Sequence, residues 1–142
     1  MIKATIPDPA PTPSAEFGKT VLAADFSGNG ADEIASGDPA YNSFRGRVRV
    51  WTKLPAAWSL SNHWTGARIH DELGWAIAAG QLNQGGADLV LGTGTYRNAG
   101  GGNPMPGYVQ AWSFRAAWSQ LWQVSGRSNE RIGTSLAVGE VA

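Results

Sequence analysis

Hydrophobic and polar residues alternate along most of this chain in short runs that are separated by turn-forming residues. Alternation with a period of two places successive side chains on opposite faces of the backbone, which predicts β-strands and not helices. Glycine, proline and asparagine bound each run. The alternation is clearest over residues 20–24, 33–36, 47–53, 58–64, 76–80, 89–92, 108–114, 118–125 and 134–139. The pattern therefore predicts an all-β protein.

The predicted strands belong to a unit that occurs more than once. An apolar residue, a glycine and then alternating small and apolar residues begin at Phe17, Leu73 and Ile132. These starts recur at intervals of about 56 to 59 residues, near the period of roughly 40–50 residues of four-stranded propeller blades. In the first two copies, residues 30–34 align with 86–90, 46–51 with 107–112 and 56–59 with 116–119. The chain thus predicts two four-stranded antiparallel blades and one strand of a third.

This repeat divides the chain into an arm and three segments. The arm or linker covers residues 1–14, which contain no apolar run of the kind found in a signal peptide. The first blade is expected at 15–71, the second at 72–130, and the first strand of an incomplete third at 131–142. Propellers close with about four to eight blades. We therefore expect either a part of a longer array, which is the preferred interpretation, or a homo-oligomer in which identical chains complete the ring.

Composition removes several classes of function. Eleven basic and eleven acidic residues cancel, so no long-range field attracts nucleic acid. The chain has no cysteine, which excludes disulfides, thiol catalysis and sulfur-ligated zinc. No apolar stretch approaches the length of about 18 residues that a membrane span needs, so we expect no membrane insertion.

Residues that could suggest catalysis have simpler interpretations. Residues 70–72 place a histidine beside two carboxylates, and we expect a solvated turn there because adjacent side chains point in different directions. Arg45, Arg47 and Arg49 alternate, which predicts the water-facing side of a strand. No nucleophile elbow, phosphate loop or zinc-protease motif is present. We expect that the chain is not an enzyme.

The tryptophans fall into two groups. Those that recur at equivalent places in both repeats are expected to pack one blade against the next; they are Trp51 with Trp112 and Trp58 with Trp118. Trp75 and Trp122 are less constrained by the repeat, and they are weak candidates for contact with a ligand such as a sugar face.

An ordered set of motifs resembles the FG-GAP repeat of integrin α subunits. It comprises Phe17-Gly18, the acid- and glycine-rich loop 25–33, Gly37-Asp38-Pro39 and the Gly-x-Val-x-Val-aromatic strand 46–51. The resemblance covers about residues 15–142. It implies a β-propeller in an extracellular or cell-surface setting that recognises a protein or carbohydrate ligand, with loops 38–45 and 96–106 as candidates. A self-assembling structural module and an accessory domain of a larger secreted hydrolase are the alternatives.

In such repeats the loop after the first strand often binds calcium, which takes six to eight oxygen ligands. The resemblance places the ligands of one site at alternate positions of the first loop, with Asp32 as an alternative to Glu33: Asp25, Ser27, Asn29, the Ala31 carbonyl and Glu33. A polar hairpin loop without metal is the competing interpretation. The second loop has only Gln81, Asn83 and Gly85 at the corresponding first, third and fifth positions, so no calcium is expected there.

Overall fold

The computed structural model describes residues 5–94, 106–128 and 130–139, which form two four-stranded antiparallel sheets. Each sheet is a meander in which neighbouring strands are consecutive along the chain. The first sheet contains β1 (Thr20–Ala24), β2 (Glu33–Asp38), β3 (Arg47–Lys53) and β4 (Trp58–Thr65). The second contains β5 (Leu73–Gly80), β6 (Asp88–Thr93), β7 (Tyr108–Phe114) and β8 (Trp118–Ser125). A single helical turn, α1 (Tyr41–Phe44), lies between β2 and β3.

The all-β prediction and the two four-stranded units are confirmed. The limits of β1, β3, β7 and β8 agree with the sequence pattern, and the other four strands are longer by one to three residues. The sheets are not closed into a ring, so a propeller remains a prediction. Within the described residues, no helix has the length and apolar character needed to cross a bilayer.

The strand expected at 134–139 is not found, since residues 134–135 form a bend, residues 136–139 have no regular structure, and none of them belongs to either sheet. A β-strand is defined by hydrogen bonds to a neighbour. In the first two repeats the first strand pairs with the second, and among the described residues no strand pairs with 134–139.

The two sheets pack face to face. We call the side of each sheet that looks toward the following repeat its forward face, and the other side its rear face. The forward face of the first sheet presents Ala35, Val48, Val50 and Trp64, with Phe26 beside them. The rear face of the second sheet meets it with Leu73, Ile77, Leu89, Leu91, Trp112 and Trp118. Burial of these apolar side chains supplies the main driving force for joining the sheets.

The third repeat occupies the forward face of the second sheet in the same way. Ile132, Leu136 and Val138 cover Val90, Val109 and Ala111. Counted from each apolar-glycine start, these three residues correspond to Leu73, Ile77 and Ala79 of the second repeat. The start of every repeat therefore covers the sheet that precedes it.

Close approach of backbones at each junction requires the glycine of the repeat start. Gly74 has φ 89° and Gly133 has φ 97°, which L side chains rarely adopt. A Cβ atom on Gly74 would lie 2.9 Å from the carbonyl oxygen of Arg47, and one on Gly133 would lie 2.7 Å from that of Tyr108. Arg47 and Tyr108 are the first residues of β3 and β7, so the two junctions are equivalent.

Trp64 is buried at the junction of the sheets, with its ring centroid 5.4 Å from that of Trp112 and 5.0 Å from that of Trp118. We expect Trp64→Ala to lower the free energy of unfolding by about 3–5 kcal/mol, because a buried indole leaves a cavity. Urea unfolding followed by circular dichroism measures this. Trp122→Ala, which removes an exposed indole, is the control and should change stability by about 0.5 kcal/mol or less. Equal losses in the two variants would contradict this packing.

Candidate functional site

The meanders place loops at the two ends of the strands, and these two sides of the sheets are here called edges. One edge, here the lower edge, carries the β1–β2 and β3–β4 turns of the first sheet and their counterparts in the second. The other, the upper edge, carries the β2–β3 loop with α1 and the connection from β4 to β5. The predicted calcium loop lies at the lower edge, and the predicted recognition loop 38–45 lies at the upper edge.

The first loop curls around the carboxylate of Asp25. Its Oδ1 accepts a hydrogen bond from the Asn29 backbone N–H at 3.0 Å, and its Oδ2 accepts one from Gly30 at 2.8 Å. Asn29 closes the turn further by accepting the Ala31 N–H through its Oδ1 at 2.8 Å. The side chain that would provide the first calcium ligand thus organises the loop backbone itself.

Glu33 turns inward beneath this loop. Its Oε2 accepts the N–H groups of Phe26 at 2.9 Å and Ser27 at 3.1 Å. The Ser27 hydroxyl lies 3.0 Å from Glu33 Oε1 and 3.4 Å from Asp25 Oδ1. Oxygen atoms from three of the predicted ligands therefore come together, whereas the Asp32 side chain is exposed.

The electrostatics of the loop favour an ionised Asp25. Hydrogen bonds from backbone N–H groups, that of Gly30 first, lower the pKa of Asp25, and the opposing effect of desolvation is smaller than their sum. The predicted donors are carboxylate, hydroxyl, amide and carbonyl oxygens, which are the ligands that calcium takes. In the part of the chain that the structure describes, no three His, Cys, Asp or Glu side chains form a metal-binding group. Hydroxyl, amide and carbonyl oxygens would therefore have to complete the coordination that the carboxylates begin. The calcium site stays a prediction.

The second loop is built on the same plan as the first. Asp88 Oδ2 accepts the N–H groups of Leu82 at 2.7 Å and Asn83 at 3.0 Å, as Glu33 does in the first loop. The strand register confirms this equivalence, because Ala24 pairs with Glu33 and Gly80 pairs with Asp88. The sequence alignment, which placed Asp88 opposite Asp32, is wrong by one position because the second loop is one residue shorter.

A guanidinium group contacts this second loop. Arg115, in the β7–β8 turn, donates from Nη2 to Asn83 Oδ1 and covers Gly85. The residue at the corresponding place in the first repeat is Leu54, which carries no charge. Asn83, at the third position of the second loop, thus directs its oxygen at a cation from the chain itself.

The two loops touch at the lower edge. The Ala87 N–H donates to the Asp25 carbonyl at 2.8 Å. A Cβ atom on Gly86 would lie 2.5 Å from the Phe26 carbonyl oxygen, so only glycine fits there. Beside this contact is a cleft of about 610 Å³ that Asp25, Ser27, Gln81 and Arg115 line. The conformation of the first loop is therefore braced by the second sheet.

The upper edge contains a cluster of backbone strain. Asn42, Ser43 and Phe44 have φ of 48°, 57° and 61°, so α1 is a left-handed turn and not a regular helix. His70, with φ 67°, stacks on Phe44 at a centroid distance of 5.7 Å. Non-glycine residues in this region cost about 1–3 kcal/mol each and persist where surrounding contacts hold them, often at functional sites.

The expected solvated turn at residues 70–72 is wrong. Asp71 and Glu72 are both buried. Asp71 accepts the Arg68 N–H at 2.8 Å and the Tyr108 hydroxyl at 3.3 Å, so it ties the connection between the sheets to β7. Desolvation and the Asp71 charge raise the pKa of Tyr108. Neighbouring residues in a turn can face inward when each has a partner.

Trp75 lies at the upper edge beside a small cavity. The Lys19 Nζ lies 5.3 Å from the centre of the Trp75 ring, in the range of a cation–π contact. The cavity has a volume of about 150 Å³, and its lining comprises Glu16, Lys19, Pro39, Ala40, Phe44, Glu72 and Trp75. Trp122 is distant from it in the topology, on strand β8. The other candidate recognition loop, 96–106, lies outside the described residues except for Pro106.

A buried ion network on the rear face of the first sheet was missed by the sequence reasoning. Asp38 is fully buried, and its Oδ2 accepts Arg47 Nε at 2.9 Å and Arg49 Nη2 at 2.7 Å. Asp8 of the arm accepts Arg49 Nη1 at 2.7 Å. The expectation that Arg47 and Arg49 face water is therefore wrong, and the arm is docked at Asp8. Both arginines pair with acids that are distant in sequence, which alternation alone does not reveal.

The two carboxyl groups of this network shift in opposite directions. The hydrogen bond from Arg49 to Asp8 lowers the pKa of Asp8, and the opposing effect of desolvation is smaller. Burial raises the pKa of Asp38, because desolvation outweighs the attraction of the two guanidinium groups. The arm thus contributes the carboxylate that stays charged most readily.

Comparison with known proteins gives no assignment: no family model matches the chain, and no curated protein matches it.

We expect Asp8→Asn to lower the free energy of unfolding at pH 7 by about 1.5–3 kcal/mol, the usual contribution of a hydrogen bond to a charged group. The pKa of Asp8 is lower in the folded chain than the ordinary 3.8. Its contribution is therefore complete above about pH 4 and is lost as the pH falls through the lowered value. The urea midpoint of the variant should lie below that of the parent at pH 7, and the two midpoints should lie closer together at pH 3.

The control for this prediction is Asp32→Asn, which changes an exposed carboxylate. In calcium-free buffer, its urea midpoint should equal that of the parent at both pH values. A gap between parent and Asp8→Asn that is as large at pH 3 as at pH 7 would contradict the role of the ionised carboxylate.

Proposed function

We propose that this chain is a non-catalytic segment of a β-propeller that recognises a ligand at its upper edge and is stabilised by calcium at its lower edge. The observation that carries the proposal is the repeated junction. Leu73-Gly74 and Ile132-Gly133 seat on successive sheets through equivalent close contacts with the start of β3 and of β7. A unit that buries its forward face against the next unit in this way builds a stacked array of blades.

The upper edge has features that suit a binding site. The left-handed turn of α1 is held in place by hydrogen bonds from the Glu72 N–H to the Phe44 carbonyl at 2.8 Å and from the Leu73 N–H to the Arg45 carbonyl at 3.0 Å. A rigid loop loses little conformational entropy on binding. Beside it, Trp75 and Phe44 offer aromatic surface, and Glu16 and Lys19 offer charge. This combination fits a protein or carbohydrate ligand.

The lower edge would hold one calcium ion. Side-chain oxygens would come from Asp25, Ser27 and Asn29, and a backbone carbonyl from Ala31. The Glu33 carboxylate would bind the ion from the inner side of the loop. Calcium would add charge neutralisation and cross-links between the two halves of the loop. Because the second loop packs on the first, ordering the first loop also strengthens the junction of the sheets. This role is structural, and the ligand site lies at the opposite edge.

We expect the melting temperature to be higher with calcium than with a chelator, because a ligand that binds only the folded state stabilises it by about 2.7 kcal/mol at 100 times its dissociation constant. Asp25→Asn should abolish the difference. Gln81→Asn changes the same position of the second loop, and it should keep the full calcium response. A parent chain whose melting temperature is the same in calcium and chelator would refute the site.

For ligand recognition we expect binding to glycans or to extracellular proteins, screened on arrays, that Trp75→Ala weakens at least tenfold. The matched control is Trp122→Ala, which removes an indole from β8 and should leave the affinity unchanged. Thermal unfolding of both variants checks that they fold. Binding that resists Trp75→Ala and responds to Trp122→Ala would place recognition elsewhere.

A further inference from the structure

The rear face of the first sheet is covered in part by the arm, through the contact of Asp8 with Arg49, and is open around Val21. It lines a cavity of about 350 Å³ with Phe17, Val21, Ile34, Trp51 and Trp58, and Ile6 of the arm lies at its margin. Val21 is 61% exposed. Such a concave, largely apolar surface is unusual on a sheet that faces only water, and it points to a partner.

The counterparts of these residues show which kind of surface the cavity fits. By strand register, Val21 corresponds to Ile77, Ile34 to Leu89 and Trp51 to Trp112. All three counterparts pack in the interface between the sheets, on the forward face of the first sheet. The rear face of the first sheet is therefore equivalent to the rear face of the second sheet, which packs on a forward face within this chain.

The other half of the same interface is also exposed. Phe26 and Trp64 project from the first sheet against Trp118 of the second. Their counterparts in the second repeat are Leu82 and Val124, which are 40% and 52% exposed. Trp122, two residues before Val124 and on the same face of β8, is 41% exposed. Large exposed apolar side chains thus mark both complementary surfaces, one at each end of the chain.

We propose that the partner is a second copy of this chain, which docks the forward face of its second sheet onto the rear face of the first sheet. The contact joins two different surfaces, so it is head-to-tail and can be repeated until a ring closes. A propeller has about four to eight blades, so a ring of two-sheet chains contains two to four copies. The ring size rests on the proposed propeller architecture, and the pairwise contact does not.

The third repeat competes with this contact. Ile132 and Gly133 occupy the place on the second sheet that Phe17 and Gly18 of the docking copy would take, and Leu136 stands where Val21 would stand. The segment 131–139, here called the tail, therefore caps the forward face within its own chain. Assembly requires that the tail leave, and the tail sets the concentration at which copies associate.

The experiment releases the tail in the full-length chain and follows mass by sedimentation. The double variant Leu136→Asp/Val138→Asp removes two apolar contacts from the tail without changing either docking surface. We expect the parent to be mainly monomeric at micromolar concentration and the double variant to form one discrete species of two to four copies.

Complementation distinguishes a head-to-tail contact from any other. In the tail-released background, Val21→Asp blocks the rear face and Val124→Asp blocks the forward face, so each variant alone should be monomeric. Mixed in equal amounts, they share one intact pair of surfaces and should form a dimer and nothing larger. Ile69→Asp, at an apolar residue in the β4–β5 connection that is 48% exposed, is the matched control and should leave assembly intact.

A tail-released chain that keeps its strand signal in circular dichroism and stays monomeric would overturn the proposal. So would oligomers that are insensitive to Val21→Asp, or single variants that fail to form a dimer on mixing. If the double variant does not fold, the parent chain provides the test. The parent must associate as its concentration rises toward about 1 mM, a range in which weak contacts form. Val21→Asp in the parent must suppress this association. The calcium-dependent melting of the monomer tests the proposed function separately.

Discussion

Each sheet in this chain has an apolar forward face, and the fold depends on covering it with the beginning of the next repeat. Val48, Val50 and Trp64 are covered by the second sheet, and Val90, Val109 and Ala111 by the tail. A sheet that leaves its apolar face in water forgoes the hydrophobic stabilisation that burial of that face would supply. Stability is therefore a property of junctions more than of individual sheets, as in other repeat architectures.

The junction also explains where polar groups are buried. Asp71 lies between the sheets because the connection must cross the end of β7, where the Arg68 N–H and the Tyr108 hydroxyl satisfy it. The rear face of the first sheet carries an ion network, which is formed by Asp38, Arg47, Arg49 and Asp8. Breaking a buried pair of this kind is costly, because the remaining charge stays buried without a partner. The arm therefore forms part of the folded structure.

Much of the architecture follows from periodicity. Alternation located all eight strands, because side chains on an antiparallel sheet between a core and water must alternate. The repeat also aligned Gly74 with Gly133, and the structure shows that the same close backbone approach recurs at both. Both features depend on residues close together in sequence.

Features set by distant contacts could not be predicted in this way. Arg47 and Arg49 alternate like solvent-facing residues, and only the pairing of β2 with β3 brings them to Asp38. The tail has the alternation of a strand, yet it pairs with no strand in the part of the chain that the structure describes. In the candidate site, Asp25, Ser27 and Glu33 do come together, while the inward turn of Glu33 and the contact of Arg115 with Asn83 depend on tertiary packing. One-residue differences in loop length also moved Asp88 in the alignment.

We expect the two sheets to form one cooperative unit through their shared junction. Native-state hydrogen exchange in increasing denaturant tests this most directly, because it measures the opening free energy of each strand separately. Amides of β2 and β3 should merge with those of β6 and β7 into one global unfolding event with a single free energy. Two separate events, in which one sheet opens while the other keeps its full protection, would contradict the account.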